Sequence, residues 1–389
     1  MQTFDVIVVG AGLVGAGLAL ALAEAHASVA LIEPHAPRPL ADDGSWDSRV
    51  YALSPGNVAW LEHIGLWQRV PIERATRVEA MRIYGDRAPG RLEFNAYDAG
   101  LRELAWIVEN RLLQSASWEA LGAARHVRLC CPARCAQVTW GNDCAALTLD
   151  SGETLQAQLI VGADGADSWV RERAGIASRV HDYHEAGVVA NFETARPHDE
   201  VAFQWFRRDG VLALLPLPGK RVSMVWSTPD AHAHELLAAS GEALARDVGE
   251  ASAGALGELR VVTPAASFAL KRQHVECLVK PRVALVGDAA HTVHPLAGQG
   301  MNLGLRDVRE LAAVISERGP RRDCGDYALL RRYERARKED IAALEAATDG
   351  LEKLFRAKAV WLAGLRNMGL ALVDAQPLLK NLLVRHAAA

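Results

Sequence analysis

The sequence lacks the features that mark several large classes of protein. Its six cysteines form no C-x-x-C pair, and the cluster of Cys130, Cys131 and Cys135 has no histidine or second pair at zinc-binding spacing. Buried or free cytosolic thiols are therefore expected, and no metal site is predicted. The net charge of −4 shows no basic excess, which argues against a nucleic-acid-binding protein.

Long apolar runs are also absent. The longest uncharged apolar stretch near the C-terminus, Ala359–Leu365, is far shorter than the roughly 20 residues that span a bilayer. The first predicted strand begins within a few residues of Met1, so we expect no signal peptide. Half of the 389 residues are apolar, which is typical of a soluble, cytoplasmic enzyme with room for two well-packed domains.

The first 33 residues carry the pattern of a dinucleotide-binding unit. The β-branched run Val6–Val9 predicts a strand buried on both faces, and the segment from Leu13 and Val14 to Glu24, rich in Ala and Leu, predicts a helix. Between them stand three glycines in G-x-G-x-x-G spacing: Gly10, Gly12 and Gly15. The first allows a sharp turn, the second a close approach of backbone to a pyrophosphate, and the third close packing of helix on strand.

An acidic residue follows at the distance that this pattern requires. The predicted second strand, Ser28–Ile32, ends at Glu33, roughly 20 residues after the second glycine. Its carboxylate can accept hydrogen bonds from ribose hydroxyls, and it would repel a 2′-phosphate. We therefore expect FAD or NAD here rather than NADP, with the pyrophosphate at the helix N-terminus.

Two later strands also end in glycine and aspartate. The apolar run Leu155–Val161 leads to Asp164 between two glycines, and Val283–Val286 leads to Gly287 and Asp288. The loop after the second of these carries, in order, His291, His294, Pro295, Gly298 and Gly300. A helix is then predicted from about Met301 to Glu317, and its free N-terminal N–H groups can stabilise negative charge.

The middle of the chain predicts an antiparallel sheet. Short strands with turns and no helices between them are predicted at Gly187–Thr194, Val201–Phe206, Val211–Leu217 and Val222–Ser227, and again at Val261–Leu270. Earlier in the chain, a hairpin is predicted over Met81–Phe94 and a helix over Glu103–Ala116. Arg49 lies in a long loop, where it either pairs with phosphate, flanks a flavin or is a solvated arginine.

Three motifs in order, GAGLVG, GADGADSWVR and VGDAAHTVHPLAGQGMNLGLRD, resemble those of the single-component flavoprotein aromatic hydroxylases, the class that includes p-hydroxybenzoate hydroxylase. The AGQGxNLGLRD ending of the third motif is most similar to the ubiquinone-biosynthesis hydroxylases. Two further segments match that group: Asp47–Arg49 with Ala52–Ser54, and Ile107–Arg111, which we expect on the predicted helix. The resemblance extends over nearly the whole chain and is weakest in the predicted sheet.

The resemblance implies an α/β fold with a Rossmann-like FAD/NAD(P)-binding domain, an antiparallel-sheet substrate domain and C-terminal helices. The expected FAD-binding domain comprises residues 1–75, 100–178 and 271–325. The expected substrate-binding sheet domain comprises residues 76–99 and 179–270. Residues 326–389 are expected to form a C-terminal helical segment.

The resemblance also assigns cofactor-binding roles. The adenosine and pyrophosphate half of FAD would contact Gly10, Gly12, Leu13, Val14, Gly15, Glu33, Arg49, Arg111 and Asp164. In this assignment Glu33 binds the ribose, Arg49 and Arg111 lie along the dinucleotide, and Asp164 braces the pyrophosphate region.

The flavin half would contact the third motif. Asp288 would bind the ribityl chain, and the pyrimidine end of the isoalloxazine would lie beside Pro295, Gly298, Gly300, Met301 and Asn302. His291 and Pro295 would stand near the flavin face where oxygen reacts, and they are the candidate catalytic residues. For His291 and His294 the alternative is a loop histidine that caps backbone groups.

The implied activity is that of an FAD-dependent monooxygenase. After reduction of FAD, O2 would add at flavin C4a, and the hydroperoxide would transfer its distal oxygen to an electron-rich ring from which water is excluded. The expected substrate is a hydrophobic aromatic molecule, a polyprenyl phenol or benzoquinone precursor of ubiquinone. The sequence has no second strand–GxGxxG–helix unit, so NAD(P)H or another electron donor would bind transiently.

Three alternatives stay open. The first is a monooxygenase of the same fold acting on a small soluble phenol, although strands rich in Val, Leu, Phe and Trp favour an apolar substrate. The second is a flavin-carrying assembly protein without turnover. The third is a reductase or a halogenase, but the halogenase signature G-x-W-x-W-x-I-P is missing.

A polyprenyl substrate would come from a membrane. Peripheral contact with the inner membrane, contact with other ubiquinone-biosynthesis proteins and oligomerisation are therefore considered. The candidate segment has apolar residues at helical spacing beside Lys358 and Arg366, namely Trp361, Leu362, Leu365, Met368 and Leu372. The alternative is that this segment packs on its own protein or on a second subunit.

Overall fold

The computed structural model describes residues 2–38, 43–85, 90–293, 299–319 and 322–356, without the side chains of residues 347–349 and 351–356. Within these ranges the chain forms β-strands, α-helices and four short 3-10 turns. The predicted Trp361–Leu372 stretch, and with it the question of membrane contact through that segment, lies outside the described residues.

The strands, in chain order, are β1 Gln2–Val9, β2 Val29–Ile32, β3 Val50–Leu53, β4 Thr76–Val78, β5 Ala80–Tyr84, β6 Arg91–Asn95, β7 Ala105–Glu109, β8 Val127–Cys130, β9 Cys135–Trp140, β10 Ala145–Leu149, β11 Thr154–Gly162, β12 Ser178–Thr194, β13 Val201–Arg207, β14 Gly210–Leu217, β15 Arg221–Pro229, β16 Leu259–Val261, β17 Ala266–Val275, β18 Val279–Lys280, β19 Val283–Leu285 and β20 His291–Thr292.

The helices are α1 Leu13–Glu24, α2 Pro55–His63, α3 Asn110–Ala123, α4 Trp169–Arg173, α5 Asp230–Ala238, α6 Gly241–Ala251, α7 Gln299–Ser316 and α8 Tyr327–Arg356.

The first sheet has eight strands and a parallel centre. Its main order is β18-β19-β11-β1-β2-β8, in which β19, β11, β1, β2 and β8 run parallel, and β10 and β9 extend it antiparallel from β11. Strand β1 lies in the middle, and its residues Val6–Val8 are fully buried. Because helices cover a parallel sheet on both faces, its central strands are apolar throughout. The largest core cluster packs here, and it includes residues of α1, α3, α7 and α8.

The second sheet has nine strands and is almost entirely antiparallel. Its order is β20-β17-β12-β15-β14-β13-β5-β6, with β16 paired to β12, and only β13 and β5 run parallel. Helices α5 and α6 cover one face of it, where a second core forms around Phe192, Trp205, Met224 and Trp226. Because successive side chains along each strand point to opposite faces, every second side chain lies on the face that α5 and α6 do not cover.

The third sheet is small and stands between the other two. Strands β3, β7 and β4 pair antiparallel. An apolar layer fills the space between it and the second sheet, with buried residues Val78, Ile107, Ala202 and Leu217 and, around them, Trp46, Val50, Ala52, Met81, Leu104, Ala105 and Leu215.

The loop Ser45–Arg49, called the 45–49 loop below, is held from several directions. The backbone N–H of Asp47 donates to Glu109 Oε1 at 2.6 Å, and Asn191 Nδ2 donates to the Asp47 carbonyl at 2.8 Å. The Arg74 guanidinium stacks 3.9 Å from the Trp46 ring centroid and donates to the buried Glu109 carboxylate. The loop therefore joins the third sheet to the second.

The α/β class with an antiparallel second sheet is confirmed, but one predicted element is wrong. Residues 103–116 are not one helix, because Ala105–Glu109 forms β7 and α3 begins only at Asn110. β-branched Ile107 and Val108 favour the strand, in which both are buried between paired strands. Ile107–Arg111 therefore lies on a strand end and the first helical turn.

The domain boundaries stay a prediction. Strand β17 runs across the expected boundary at residues 270/271, and β20, inside the range expected for FAD binding, pairs with β17 in the second sheet. Among the described residues, no helix combines the length and apolar character that crossing a membrane requires.

Candidate cofactor site

The three glycine-containing motifs meet at one edge of the first sheet. Strands β1, β11 and β19 are parallel neighbours, so their carboxyl ends lie side by side. The N–H of Ala163 donates to the Val9 carbonyl at 2.8 Å, and the N–H of Val286 donates to the Gly162 carbonyl at 3.0 Å. In open parallel sheets, ligands bind in the crevice outside the carboxyl ends of the strands, and the region outside these three strand ends is called the cleft below.

Glycine stands at the three N-terminal positions for different structural reasons. At Gly10, where φ is +100°, an added Cβ would stand 2.4 Å from the Ala163 carbonyl oxygen, and at Gly15 it would stand 2.0 Å from the Gly10 carbonyl oxygen. At Gly12 an added Cβ meets no protein atom within 4 Å. The fold therefore requires Gly10 and Gly15, whereas Gly12 leaves space open at the edge of the sheet.

Helix α1 begins in this space without a side-chain cap. Gly12 is its N-cap, no side chain accepts a hydrogen bond there, and its first turn has no acidic residue. The first backbone N–H groups of a helix have no partner within it, so this terminus suits an anion. Leu13 is buried, while Val14 is half-buried and packs beside Gly287 and Gly304, where an added Cβ would lie 3.2 Å and 3.0 Å from it.

Glu33 closes the other side of the glycine turn. Its Oε2 accepts a hydrogen bond from the Ala11 N–H at 2.7 Å, and Oε1 accepts one from the His35 N–H at 3.1 Å. A carboxylate has about four lone-pair sites, so Glu33 keeps acceptor capacity for a ribose hydroxyl.

Both carboxylate oxygens of Asp164 are used inside its own motif. Oδ1 accepts from the Ser168 hydroxyl at 2.5 Å and Oδ2 from the Val170 N–H at 3.1 Å, at the start of α4. Burial raises the pKa of Asp164, against the effect of these hydrogen bonds. Asp164 thus shapes the turn, and Arg171 links that turn to the third motif by donating to the Ala289 carbonyl at 3.0 Å.

Arg49 lies close enough to Asp288 for their charges to interact, whereas the Arg111 side chain holds the 45–49 loop. The Arg49 guanidinium lies 5.4 Å from the Tyr51 ring centroid. Burial raises the pKa of Asp288 overall, and the charge of Arg49 opposes that rise. The Arg111 guanidinium donates to the Ser45 carbonyl at 3.1 Å, and its N–H donates to Asp47 Oδ2 at 3.2 Å.

Helix α7 begins at Gln299, so that Gly300 and Met301 lie in its first turn. The buried side chain of Asn302 accepts from the Ser54 N–H at 2.8 Å and donates to the Ala52 carbonyl at 2.7 Å. This side chain fixes the start of α7 to β3 and α2, which explains the Ala52–Ser54 segment structurally. Pro295, Gly298 and the neighbouring His294 lie outside the described residues.

His291 differs from its expected place. It does not lie on a loop but in β20, only 2% exposed, with Nε2 2.6 Å from Asp307 Oδ2 on α7. Burial alone would lower the pKa of His291, but the charge of Asp307 and the hydrogen bond to it raise the pKa overall. The imidazole is committed to Asp307, and this geometry does not favour proton transfer to a substrate.

Comparison with known proteins identifies the family. Residues 3–348 match the family model described as an FAD binding domain. The chain is 38% identical to the ubiquinone hydroxylase UbiL of Rhodospirillum rubrum over 98% of this chain and 89% of that protein. It is 33% identical to the 3-demethoxyubiquinol 3-hydroxylase of Escherichia coli K12, over 99% and 98%.

The chain belongs to the FAD-dependent ubiquinone-biosynthesis hydroxylases.

A solved structure agrees on the fold of this hydroxylase family member. PqsL of Pseudomonas aeruginosa, described as a probable FAD-dependent monooxygenase, superposes with a TM-score of 0.78 at 24% identity, over 95% of this chain and all of that one.

The residues of this hydroxylase fit FAD. The space at Gly12 and the uncapped α1 N-terminus suit a pyrophosphate. The Asp288 carboxyl has no hydrogen-bond partner in the described part of the chain and stands in the cleft, where water reaches it while protein surrounds its other sides. A hydroxyl-bearing chain such as ribityl would supply the donors that this carboxyl lacks.

Sequence reasoning missed Asp307 and Arg337. The signal was present, because Asp307 stands at helical spacing from Leu303 and Leu311 and so puts a charge on the apolar face of α7. A charge on a buried helix face requires a partner. Arg337 supplies it, with Nε 2.8 Å from Asp307 Oδ1.

We expect Gly12→Ala and Gly15→Ala to separate cofactor binding from folding. Gly12 has φ of −65°, which alanine adopts without strain, so the unfolding free energy of the apoprotein should change by less than about 0.5 kcal/mol. Its FAD dissociation constant should rise roughly tenfold or more, since the methyl group occupies the pyrophosphate space. Gly15→Ala should destabilise the apoprotein by about 1–3 kcal/mol. Denaturant unfolding and FAD titration measure both, and equal FAD affinity in wild type and Gly12→Ala contradicts the assignment.

The His291–Asp307 pair should make stability depend on pH. Because the folded-state pKa of His291 is raised above its ordinary value of about 6.5, the stabilising contribution is fully present below that pH and is lost as pH rises through the raised pKa. Asp307, Asp288 and Arg337 are the charged groups acting on this imidazole. The difference in unfolding free energy between wild type and His291→Gln should therefore shrink as pH rises. The exposed His63→Gln is the control, and a difference that grows with pH contradicts this account.

Proposed function

We propose that this monooxygenase hydroxylates the aromatic ring of a polyprenyl phenol or benzoquinone precursor of ubiquinone. One oxygen atom of O2 enters a ring C–H bond to give C–OH, and the other leaves as water with two electrons and two protons from a reductant. The names of the relatives support this substrate class, since one acts on demethoxyubiquinol and another is a ubiquinone hydroxylase.

The observation that carries the proposal is that the three strand ends meet next to α7, whose first turn contacts the apolar layer. That layer includes Ala52, whose carbonyl accepts from Asn302 in the first turn of α7. The end of the cleft beside α7 is therefore next to apolar side chains.

FAD would be held along the cleft from α1 to α7. We assign the pyrophosphate to Gly10, Gly12, Gly15 and the first turn of α1 with Leu13 and Val14, and the ribose to Glu33. Asp288 binds the ribityl chain, and Arg49 adds positive charge beside it. Arg111 and Asp164 act by fixing the 45–49 loop and the second motif. The N–H groups of Gly300, Met301 and Asn302 would bind the pyrimidine end.

The bound FAD supplies electron transfer and oxygen activation. The chain supplies the environment for that chemistry. The positive end of α7 would stabilise negative charge on the reduced cofactor. The apolar layer keeps water from the reacting atoms and receives an apolar ring.

Two arginines beside this layer already have carboxylate partners. Arg74 and Arg221 lie 3.9 Å and 5.2 Å from the Trp46 ring centroid, and they pair with Glu109 and Glu193 respectively. A small carboxylated phenol would need an uncompensated cation, so these pairs favour an apolar substrate. The electron donor is NAD(P)H or another reductant that binds transiently, and peripheral contact with the membrane would deliver the substrate.

The test is oxygen insertion into phenols of graded chain length. FAD-loaded protein is supplied with NAD(P)H or a chemical reductant and with ¹⁸O2, and phenols carrying prenyl tails of increasing length are compared with the same phenol carrying a carboxylate. We expect one ¹⁸O atom in the ring product, less hydrogen peroxide with prenylated phenols, and a KM that falls as the tail lengthens.

A matched pair of variants locates the effect. Leu215→Asn in the apolar layer should raise the KM for prenylated phenols, and Leu237→Asn, at a leucine that is 37% exposed on α5, should leave it unchanged. Preference for the carboxylated phenol would indicate a hydroxylase of small soluble phenols. Flavin binding without ¹⁸O incorporation into any phenol would indicate an assembly protein.

A further inference from the structure

Each residue of the 3-10 turn Gly287–Ala289 is anchored by a side chain from another element. The Gly287 N–H donates to Asp307 Oδ2 at 3.0 Å, and Gln273 Nε2 donates to the Asp288 carbonyl at 3.2 Å. The Ala289 carbonyl accepts from Arg171, as described above. Three different elements therefore fix the backbone that carries the Asp288 carboxyl.

The anchor on Gly287 differs from the other two because it is a buried carboxylate. Asp307 has no exposed surface, and its two oxygens accept three hydrogen bonds, from Gly287, His291 and Arg337. Burial would raise the pKa of Asp307, but His291 and Arg337 outweigh burial and lower it, so the carboxyl is charged. A charged acceptor makes stronger and shorter hydrogen bonds than a neutral one.

The partners of Asp307 connect the turn to α8. Arg337 Nη1 donates to Asp340 Oδ2 at 2.7 Å, one turn further along α8, and Tyr333 donates from its hydroxyl to the Leu285 carbonyl at 2.9 Å, two residues before the turn. Helix α8 thus touches β19 directly and the turn after it through Asp307. The side chains of Asp307, Tyr333 and Arg337 are all buried.

The turn has little freedom to move. Gly287 has φ of +59°, a conformation that L-residues other than glycine rarely adopt, and its Cα would lie 3.2 Å from an added Cβ on Gly304 of α7. Small shifts of α7 against the turn are therefore passed to the Asp288 side chain.

We propose that Asp307 is a positioning residue for the cofactor, which holds the Gly287 N–H and thereby sets where the Asp288 carboxyl stands in the cleft. This inference rests on the proposed role of Asp288. Asp307, the last residue of the Gly-Leu-Arg-Asp segment, thus acts on the cofactor through Asp288. Arg337 and His291 keep the Asp307 carboxylate charged and oriented.

A double-mutant cycle with Asp288 tests the proposal. Asp307→Asn keeps the side-chain volume, but its amide N–H groups would face the donors of Gly287, His291 or Arg337. The FAD dissociation constant of the full-length apoprotein should therefore rise about tenfold. This is the lower end of the loss in affinity when an orienting partner is removed at metal sites. In the Asp288→Ala background the same change should have almost no further effect, because both act through one carboxyl. FAD fluorescence titration gives all four constants.

Asp323→Asn is the matched control. Asp323 pairs with Arg282 and accepts from the Gly325 N–H at 2.6 Å, away from the turn. This variant should lower the melting temperature without changing FAD affinity. If Asp307→Asn does not fold, Arg337→Lys, which keeps a cation beside Asp307 but loses the Nε–H hydrogen bond, enters the same cycle.

The outcomes distinguish a failure of the Asp307 role from a failure of the Asp288 assignment. An equal loss of FAD affinity from Asp307→Asn with and without the Asp288 carboxyl overturns the positioning role, as does an unchanged affinity in Asp307→Asn. If Asp288→Ala alone leaves FAD affinity unchanged, the assignment of Asp288 to the cofactor fails first, and the positioning role fails with it.

Discussion

The close approach of three strand ends at one edge of a parallel sheet is the constraint on which the rest of the structure depends. Neighbouring parallel strands are about 5 Å apart, and here the turns that follow them also touch. Two glycines are present because the backbones leave no room for a Cβ, at Gly10 against Ala163 and at Gly15 against Gly10. Gly12 is different, since its missing side chain leaves space that no protein atom occupies. The segment of residues 10–15 therefore provides both the close packing at this edge and the space that admits a ligand.

The polar residues of the motifs act more on the protein than on the cleft. Asp164 caps its own turn, Asn302 ties α7 to β3 and α2, and Arg111 holds the 45–49 loop. Among the candidates, the Asp288 carboxyl and the first turns of α1 and α7 are the groups that we propose to contact the ligand most directly. A site of this kind depends on backbone and helix termini, so its precision depends on how firmly each turn is anchored.

Local patterns were enough to predict part of this from the sequence. The strand–glycine–helix unit, the acid at Glu33 and the antiparallel middle sheet follow from spacing and periodicity within a few dozen residues. The error over residues 103–116 arose because β7 pairs with β3 and β4, which come about thirty to sixty positions earlier in the chain, and no local pattern reports this pairing. The same reason applies to His291. Its partner Asp307 lies 16 residues later, within α7, and Arg337 comes from α8, so a loop histidine and a buried ion pair look alike in sequence.

The central claim is that one FAD molecule contacts all three strand ends at once, and hydrogen–deuterium exchange of the full-length protein with and without FAD tests it most directly. We expect FAD to slow amide exchange at residues 10–15, 163–165, 287–289 and 299–302, which lie far apart in sequence. Exchange rates on the α5–α6 face of the second sheet should stay unchanged. Protection of the glycine turn at residues 10–15 alone, with no change at 287–289 and 299–302, would contradict it.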